Sequence, residues 1–272
     1  MNKNRLLELL RAGKVVLGFS NTLAAPGILE AIGPGYDFVW IDAQHGTHTI
    51  ETVRQAVREA EGIGTEAVVR VPGHEVGIIG PYLDTGVTGV IVPMVSTAEE
   101  ATAIVRAARF PPLGQRSYGG RRMWDVYGTN YYREREPLIV AQIESQEGLR
   151  NAPSIIGTPG IDVLFLGSVD LAIDMGLLPE RWGESRQCLP DIARIARDAA
   201  KFAGCVAGSV EALTAAVEAG CQFISFGDET GFLQSAARAR LQQARTALSE
   251  EILGDASSRQ NDREGDSSLR SE

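Results

Sequence analysis

Lysine is nearly missing from this 272-residue chain, which has only Lys3, Lys14 and Lys201. None of them falls where a strand read from the sequence would end, so no lysine is placed for Schiff-base chemistry. A basic stripe is also lacking. The formal charge is −9, which leaves no footprint for nucleic acid. No uncharged apolar run reaches the ~18 residues that would cross a bilayer. Cys188, Cys205 and Cys221 are too few and too irregularly spaced for a disulfide framework or a C-x-x-C site, and read as thiols of a reducing compartment. The first ten residues carry charges inside a short apolar stretch, as an amphipathic helix does and a signal peptide does not. These absences point to a soluble cytoplasmic protein.

What the chain does have is alternation. Apolar runs at 15–20, 37–42, 67–71, 89–93, 138–144, 161–167, 205–208 and 222–227 each precede a segment of helical period. Most runs are continuous and not alternating, as in a parallel sheet covered on both faces. Eight such units over roughly 240 residues predict a single-domain α/β (β/α)8 TIM barrel. It is preceded by an N-terminal helix and spans residues 1–253. A doubly wound sheet is the competitor, but no G-x-G-x-x-G follows the first run. Residues 110–136 interrupt the repeat with five arginines, and a connection that long is functional or a subunit contact. Residues 254–272 contain one large apolar residue and are expected to be disordered.

In a barrel of this kind, chemistry gathers at the C-terminal ends of the strands. Those positions hold Ser20 and Asn21, then Asp42, Gln44 and His45, then Arg70, Gln142 and Glu144, and finally Ser168 and Asp170. Glu144 and Asp170 end successive strands and can meet in one pocket, as an all-oxygen site for a divalent cation requires. The simpler readings are that Glu144 is a helix N-terminal acid and that Asp170 or Ser168 caps a short turn. Gln142 shares a face with Glu144. His45 carries an imidazole, the side chain most often used for proton transfer. His48 and His74 read as exposed loop residues, and H-x-x-H alone is weak evidence for zinc. Arg70 fits either a structural ion pair or a substrate oxyanion. Asp84 reads as a helix-end residue, or as a partner that orients His45 if the fold brings the two together.

Six stretches of the chain together resemble one family. They are Phe-Val-Trp-Ile-Asp-Ala-Gln-His (38–45), Val-Val-Arg-Val-Pro (68–72), Leu-Asp-Thr-Gly-Val-Thr-Gly-Val-Ile-Val-Pro-Met-Val (83–95), Arg-Phe-Pro-Pro-Leu-Gly-Gln-Arg (109–116), Gln-Ile-Glu-Ser-Gln-Glu-Gly (142–148) and Phe-Leu-Gly-Ser-Val-Asp-Leu-Ala-Ile-Asp-Met-Gly (165–176). In this order and spacing they are similar to the HpcH/HpaI aldolases, the metal-dependent class II pyruvate aldolases typified by 4-hydroxy-2-oxoheptanedioate aldolase. The resemblance implies that Glu144 and Asp170 hold a divalent cation (Mg, Mn or Co). It gives Arg70 to the keto oxygen of a 2-oxo acid, and Gln142, Ser168 and Asp42 to the substrate's surroundings. It makes His45 the base, or its neighbour, with Asp84 as partner. It also implies a homo-oligomer, a hexamer with exchanged C-terminal helices, which would involve the helix around 231–248.

The chain departs from the family pattern at Gln44, Ser168, Ala172 and Ser117. None of these removes a proposed ligand or the base, but they change the surroundings of the aldehyde. The resemblance implies aldol cleavage and condensation of 4-hydroxy-2-oxo acids. The alternatives are oxaloacetate decarboxylation or a macrophomate-synthase-like reaction through the same enolate. A phosphate-binding barrel isomerase is disfavoured because Asp228 and Glu229 follow the last strand, and a non-catalytic binding barrel is disfavoured by the intact polar rim.

Overall fold

A computed structural model describes residues 4–267. Eight parallel strands close into a barrel in chain order. They are β1 (Val16–Asn21), β2 (Phe38–Asp42), β3 (Glu66–Arg70), β4 (Gly89–Val92), β5 (Leu138–Ile143), β6 (Val163–Leu166), β7 (Phe202–Ala207) and β8 (Phe223–Asp228). β4, β5 and β6 are buried along their whole length, which is why their sequences lack alternation. Inside the barrel, Phe38 stacks on Phe223 with ring centroids 4.3 Å apart, and Trp40 meets Phe165 edge-on at 5.1 Å. Gly18 makes room for this layer, since a Cβ there would overlap the Phe38 ring.

The helices are α1 (Arg5–Arg11), α2 (Ile28–Ile32), α3 (Ile50–Gly62), α4 (Val76–Leu83), α5 (Ala98–Ala108), α6 (Arg121–Tyr127), α7 (Tyr131–Glu134), α8 (Gln146–Gly157), α9 (Ser168–Asp174), α10 (Leu189–Asp198), α11 (Val210–Ala219) and α12 (Glu229–Ser267). A 3-10 turn, Trp182–Cys188, precedes α10. α3 buries Val53, Ala56, Val57 and Ala60, the face its period marks. α1 closes the N-terminal mouth of the barrel. Leu6, Leu7 and Leu10 join the core formed by Val16, Phe38, Val68, Leu138 and Val163. Asn4 caps α1 and donates Nδ2 to the carbonyls of Thr88 (3.0 Å) and Glu136 (2.9 Å), which precede β4 and β5.

The connection at 110–136 is partly helical and contains α6 and α7. It lies on the N-terminal face of the barrel. Arg122 donates to the Thr85 carbonyl and Arg135 to that of Gly86, both ahead of β4. On the same face, buried Arg109 pairs with Asp162 at 3.1 Å and Glu136 at 2.9 Å. The connection therefore sits at the mouth opposite the strand-end rim.

The described residues form two compact units, one ending at Glu229 and the other beginning at Thr230. The backbone of α12 is helical to Ser267, through most of the stretch expected to be disordered, and 268–272 lie outside the described residues. Among the described residues, no helix is long and apolar enough to cross a membrane.

Candidate active site

Adjacent strand ends form the floor of the site. In register, Asp42 of β2 lies beside Arg70 of β3. Arg70 grips Asp42 with both arms of its fork, Nε to Oδ1 at 3.0 Å and Nη2 to Oδ2 at 2.5 Å. Its guanidinium also lies 5.0 Å from the Trp40 ring centroid. A paired and stacked guanidinium has few orientations left, so it is preorganised. Asp42 Oδ1 also accepts the backbone N–H groups of Gln44 (3.0 Å) and His45 (3.2 Å). Burial alone would raise the Asp42 pKa, but Arg70 and the two N–H donors outweigh it and hold the carboxyl below its ordinary value. His45 itself is exposed at the rim.

The carboxylate pair lies beyond the ends of β5 and β6. Glu144 follows β5, is 3% exposed, and accepts the Met94 N–H at 2.8 Å. Met94 adopts φ 55°, a strained backbone for a residue with a side chain, and this turn presents its N–H to the carboxylate. Asp170, in the first turn of α9, is within hydrogen-bonding reach of Glu144. Burial pushes the Glu144 pKa up to about 7. The like charge of Asp170 adds to the rise, while the Met94 N–H and Arg70 oppose it. Neither carboxylate is a cap. Ser145 caps α8 through the Gly148 N–H, and Gly167 stands at the start of α9 without a side-chain cap. Both acids thus stand at helix N-termini without making the capping bond.

Gly167 is part of the construction, because a Cβ there would overlap Cγ and Oε1 of Glu144. Gln142, also 3% exposed, leaves its Oε1 buried with no protein partner. Two converging acids and an orphaned amide oxygen suit a hard divalent cation, which takes one or two carboxylates and completes its shell with water and substrate oxygens. Among the described residues no cluster of three His, Cys, Asp or Glu side chains offers a fuller cage. Ser168 opens α9, and its carbonyl accepts the hydroxyl of fully buried Ser185 at 2.6 Å.

Two expectations are corrected. Asp84 is not beside His45 in this chain. It caps the C-terminus of α4, which runs away from the strand-end rim, and it pairs with buried Arg116 at 2.6 Å. His48 is not exposed. It is 8% accessible, with Nε2 2.9 Å from Asn21 Oδ1, and burial lowers its pKa against the opposing charges of Glu229 and Asp42. His74 is half-buried.

Sequence reasoning also missed a fully buried acid. Glu229 follows β8 and accepts three donors on Oε1: the Thr22 N–H (2.6 Å), the Thr22 hydroxyl (2.8 Å) and the Leu23 N–H (2.7 Å). The strand-end rule pointed to this position, but the residue was weighed only as a charge that would repel phosphate.

Comparison with known proteins identifies the family. The family model described as HpcH/HpaI aldolase/citrate lyase matches residues 17–236. A 4-hydroxy-2-oxovalerate aldolase of Novosphingobium aromaticivorans is 44% identical over 181 residues, 64% of this chain and 69% of that one. A hydroxypyruvate/pyruvate aldolase of Delftia acidovorans is 32% identical over 239 residues, 85% of this chain and 89% of that one. Among solved structures, an HpcH/HpaI aldolase/citrate lyase family protein from Burkholderia cenocepacia superposes with a TM-score of 0.83 at 29% identity, covering 89% of this chain and all of that one. With a parallel barrel, an acid pair on adjacent strand ends and a family match over most of its length, the chain belongs to the HpcH/HpaI aldolase family.

Proposed function

We propose that the chain is a divalent-metal-dependent carbon–carbon lyase that cleaves and forms 4-hydroxy-2-oxo acids through a pyruvate enolate. The observation that carries this reading is the pair Glu144 and Asp170, two carboxylates within hydrogen-bonding reach at one rim, with Glu144 almost wholly buried. Their mutual repulsion is relieved by a cation, and they are the residues that would hold Mg, Mn or Co. The cation would supply Lewis acidity toward a 2-oxo acid.

The chain's own groups do the remaining work. Arg70, fixed by Asp42 and Trp40, presents its remaining N–H groups to the negative charge that develops on the keto oxygen. His45, exposed on a loop tied to Asp42, takes the proton from the substrate's 4-hydroxyl. The C3–C4 bond then breaks, leaving an aldehyde and the pyruvate enolate. Protonation of C3 gives pyruvate, and the reverse sequence makes the bond. Gln142 and Ser168 stand beside the acid pair and face the substrate.

The proposal extends to a cytoplasmic enzyme and a hexamer, which light scattering on the purified chain tests. The chemistry is tested by deuterium uptake into the methyl group of pyruvate, with Mn2+ and with excess chelator. Metal-dependent uptake is expected, and uptake undiminished by chelator would overturn the metal's role. Loss of CO2 from oxaloacetate would reach the same enolate. Comparing CO2 release with aldehyde release from 4-hydroxy-2-oxo acids separates the two reactions.

A further inference from the structure

The loop that carries His45 is held at two points. Asp42 holds its start through the N–H groups of Gln44 and His45. Its end is held by the segment that follows β1. The Thr47 N–H donates to the Thr22 carbonyl at 2.8 Å, and the Thr47 hydroxyl accepts the Ala24 N–H at 2.8 Å. Gly46 packs against the same strand-end segment so closely that a Cβ would overlap both the Asp42 and the Thr22 carbonyl oxygens. His48, next along, binds Asn21.

Residues 21–24 are therefore the fixture against which the His45 loop is set, and Glu229 fixes that segment in turn. Three donors from Thr22 and Leu23 converge on its Oε1 within 2.6–2.8 Å. Bonds of that length to a carboxylate are the strong, charge-assisted kind. The other oxygen, Oε2, is buried with no partner. Leaving a buried acceptor unpaired costs about 1–3 kcal/mol. The three bonds that Glu229 does make all hold residues 22 and 23.

We propose that Glu229 is a positioning residue for His45: it clamps Thr22 and Leu23 at the end of β1, and Thr22 in turn sets the 43–48 loop that carries His45. The catalytic half of this inference rests on the function proposed above, whereas the clamp does not. Among the described residues, the side-chain hydrogen bonds of Glu229 go to Thr22 and Leu23 and not to the acid pair or Arg70, so its removal acts on the rate and not on binding of metal or pyruvate.

The test separates reach from charge. Glu229→Gln keeps the accepting oxygen at the same reach and loses the charge, whereas Glu229→Asp keeps the charge and loses about one bond length of reach. Glu229→Ala loses both. In Mn2+-supported cleavage of a 4-hydroxy-2-oxo acid, the step that uses His45, Glu229→Gln should stay within about threefold of wild type, because the geometry it restores is the geometry that matters. Glu229→Asp and Glu229→Ala should lose at least about tenfold in kcat, with KM for that acid and Kd for Mn2+ within about twofold. Hydrogen–deuterium exchange reads the clamp without turnover. Peptides covering 21–25 and 43–48 should exchange faster in Glu229→Asp and as in wild type in Glu229→Gln.

Unchanged exchange at 43–48 in Glu229→Asp would overturn the clamp, even if Glu229→Ala fails to fold. Loss of kcat in Glu229→Gln with wild-type kcat in Glu229→Asp would assign Glu229 a role through its charge and overturn positioning. A wild-type chain that takes up no deuterium into pyruvate, yet shows the expected peptide pattern, fails the proposed function and leaves the clamp standing.

Discussion

The site depends on a few residues placed against their own preference. Glu144 is a carboxylate buried beside a second carboxylate. Such a pair persists because something else at the site gains from it. Replacing either acid by its amide, Glu144→Gln or Asp170→Asn, keeps the shape and removes the charge that a cation needs. Mn2+ affinity measured by calorimetry should fall by more than about 100-fold, beyond the 10–100-fold typical of residues that only surround a metal. Affinity within threefold of wild type would remove these residues as ligands.

Asp42 makes the opposite case, as an acid whose partners favour its charged form. Its folded pKa lies below the unfolded value of about 3.9, so it stabilises the fold above that pH and loses the contribution as pH falls through the folded pKa. In Asp42→Asn this acid-side contribution is gone. Unfolding curves between pH 6 and 3 should show wild type losing stability below about pH 4 more steeply than the variant. Parallel curves would mean that the Arg70 contact does not perturb Asp42.

At the scale of elements, capping sets where helices begin. Two residues, Ser96 and Thr97, could open α5. The structure selects Thr97, whose hydroxyl accepts the Glu100 N–H while Glu100 reaches back to the Thr97 N–H at 3.0 Å. Ser96 instead meets Ser145 at 2.8 Å, across the ends of β4 and β5. Thr97→Ala should therefore cost about 1 kcal/mol in denaturant unfolding, with little change in exchange activity. A cost near zero would show that the box is ornamental.

The same distinction explains what the sequence made legible. All eight strands could be read, because a strand buried on both faces writes itself as an apolar run. Glu144 and Asp170 could be read because a strand's end fixes which mouth of the barrel its residues reach. Asp84 was misplaced because it ends a helix, and a helix that follows a strand carries the chain back to the other mouth. The 110–136 connection leaves α5 at that same far mouth. His48 and Glu229 could not be located from spacing. Their partners, Asn21 and Thr22, lie 27 and 207 residues away, and only closure of β1 against β2 and β8 brings them near.

The barrel as a whole divides its tasks between its two mouths. At the C-terminal mouth are the acid pair, Arg70, His45 and the Glu229 clamp. At the N-terminal mouth are α1, the Arg109–Asp162–Glu136 pairs and the 110–136 connection, none of which touches the acids. Conserving the chemistry therefore does not require the second set, except through stability. Leu7 is the sharpest probe, being 1% exposed and packed with Leu6 and Leu10 into the barrel floor. Leu7→Ala removes buried methyl groups from a site walled by strands that cannot collapse around the gap, so it should cost about 2–5 kcal/mol. Well below the variant's melting transition, kcat for pyruvate exchange should stay within twofold of wild type. A variant that keeps its stability would mean that α1 does not seal the core. A large fall in kcat without a fall in stability would mean that the two mouths are coupled through the Phe38–Phe223–Phe165 layer between them.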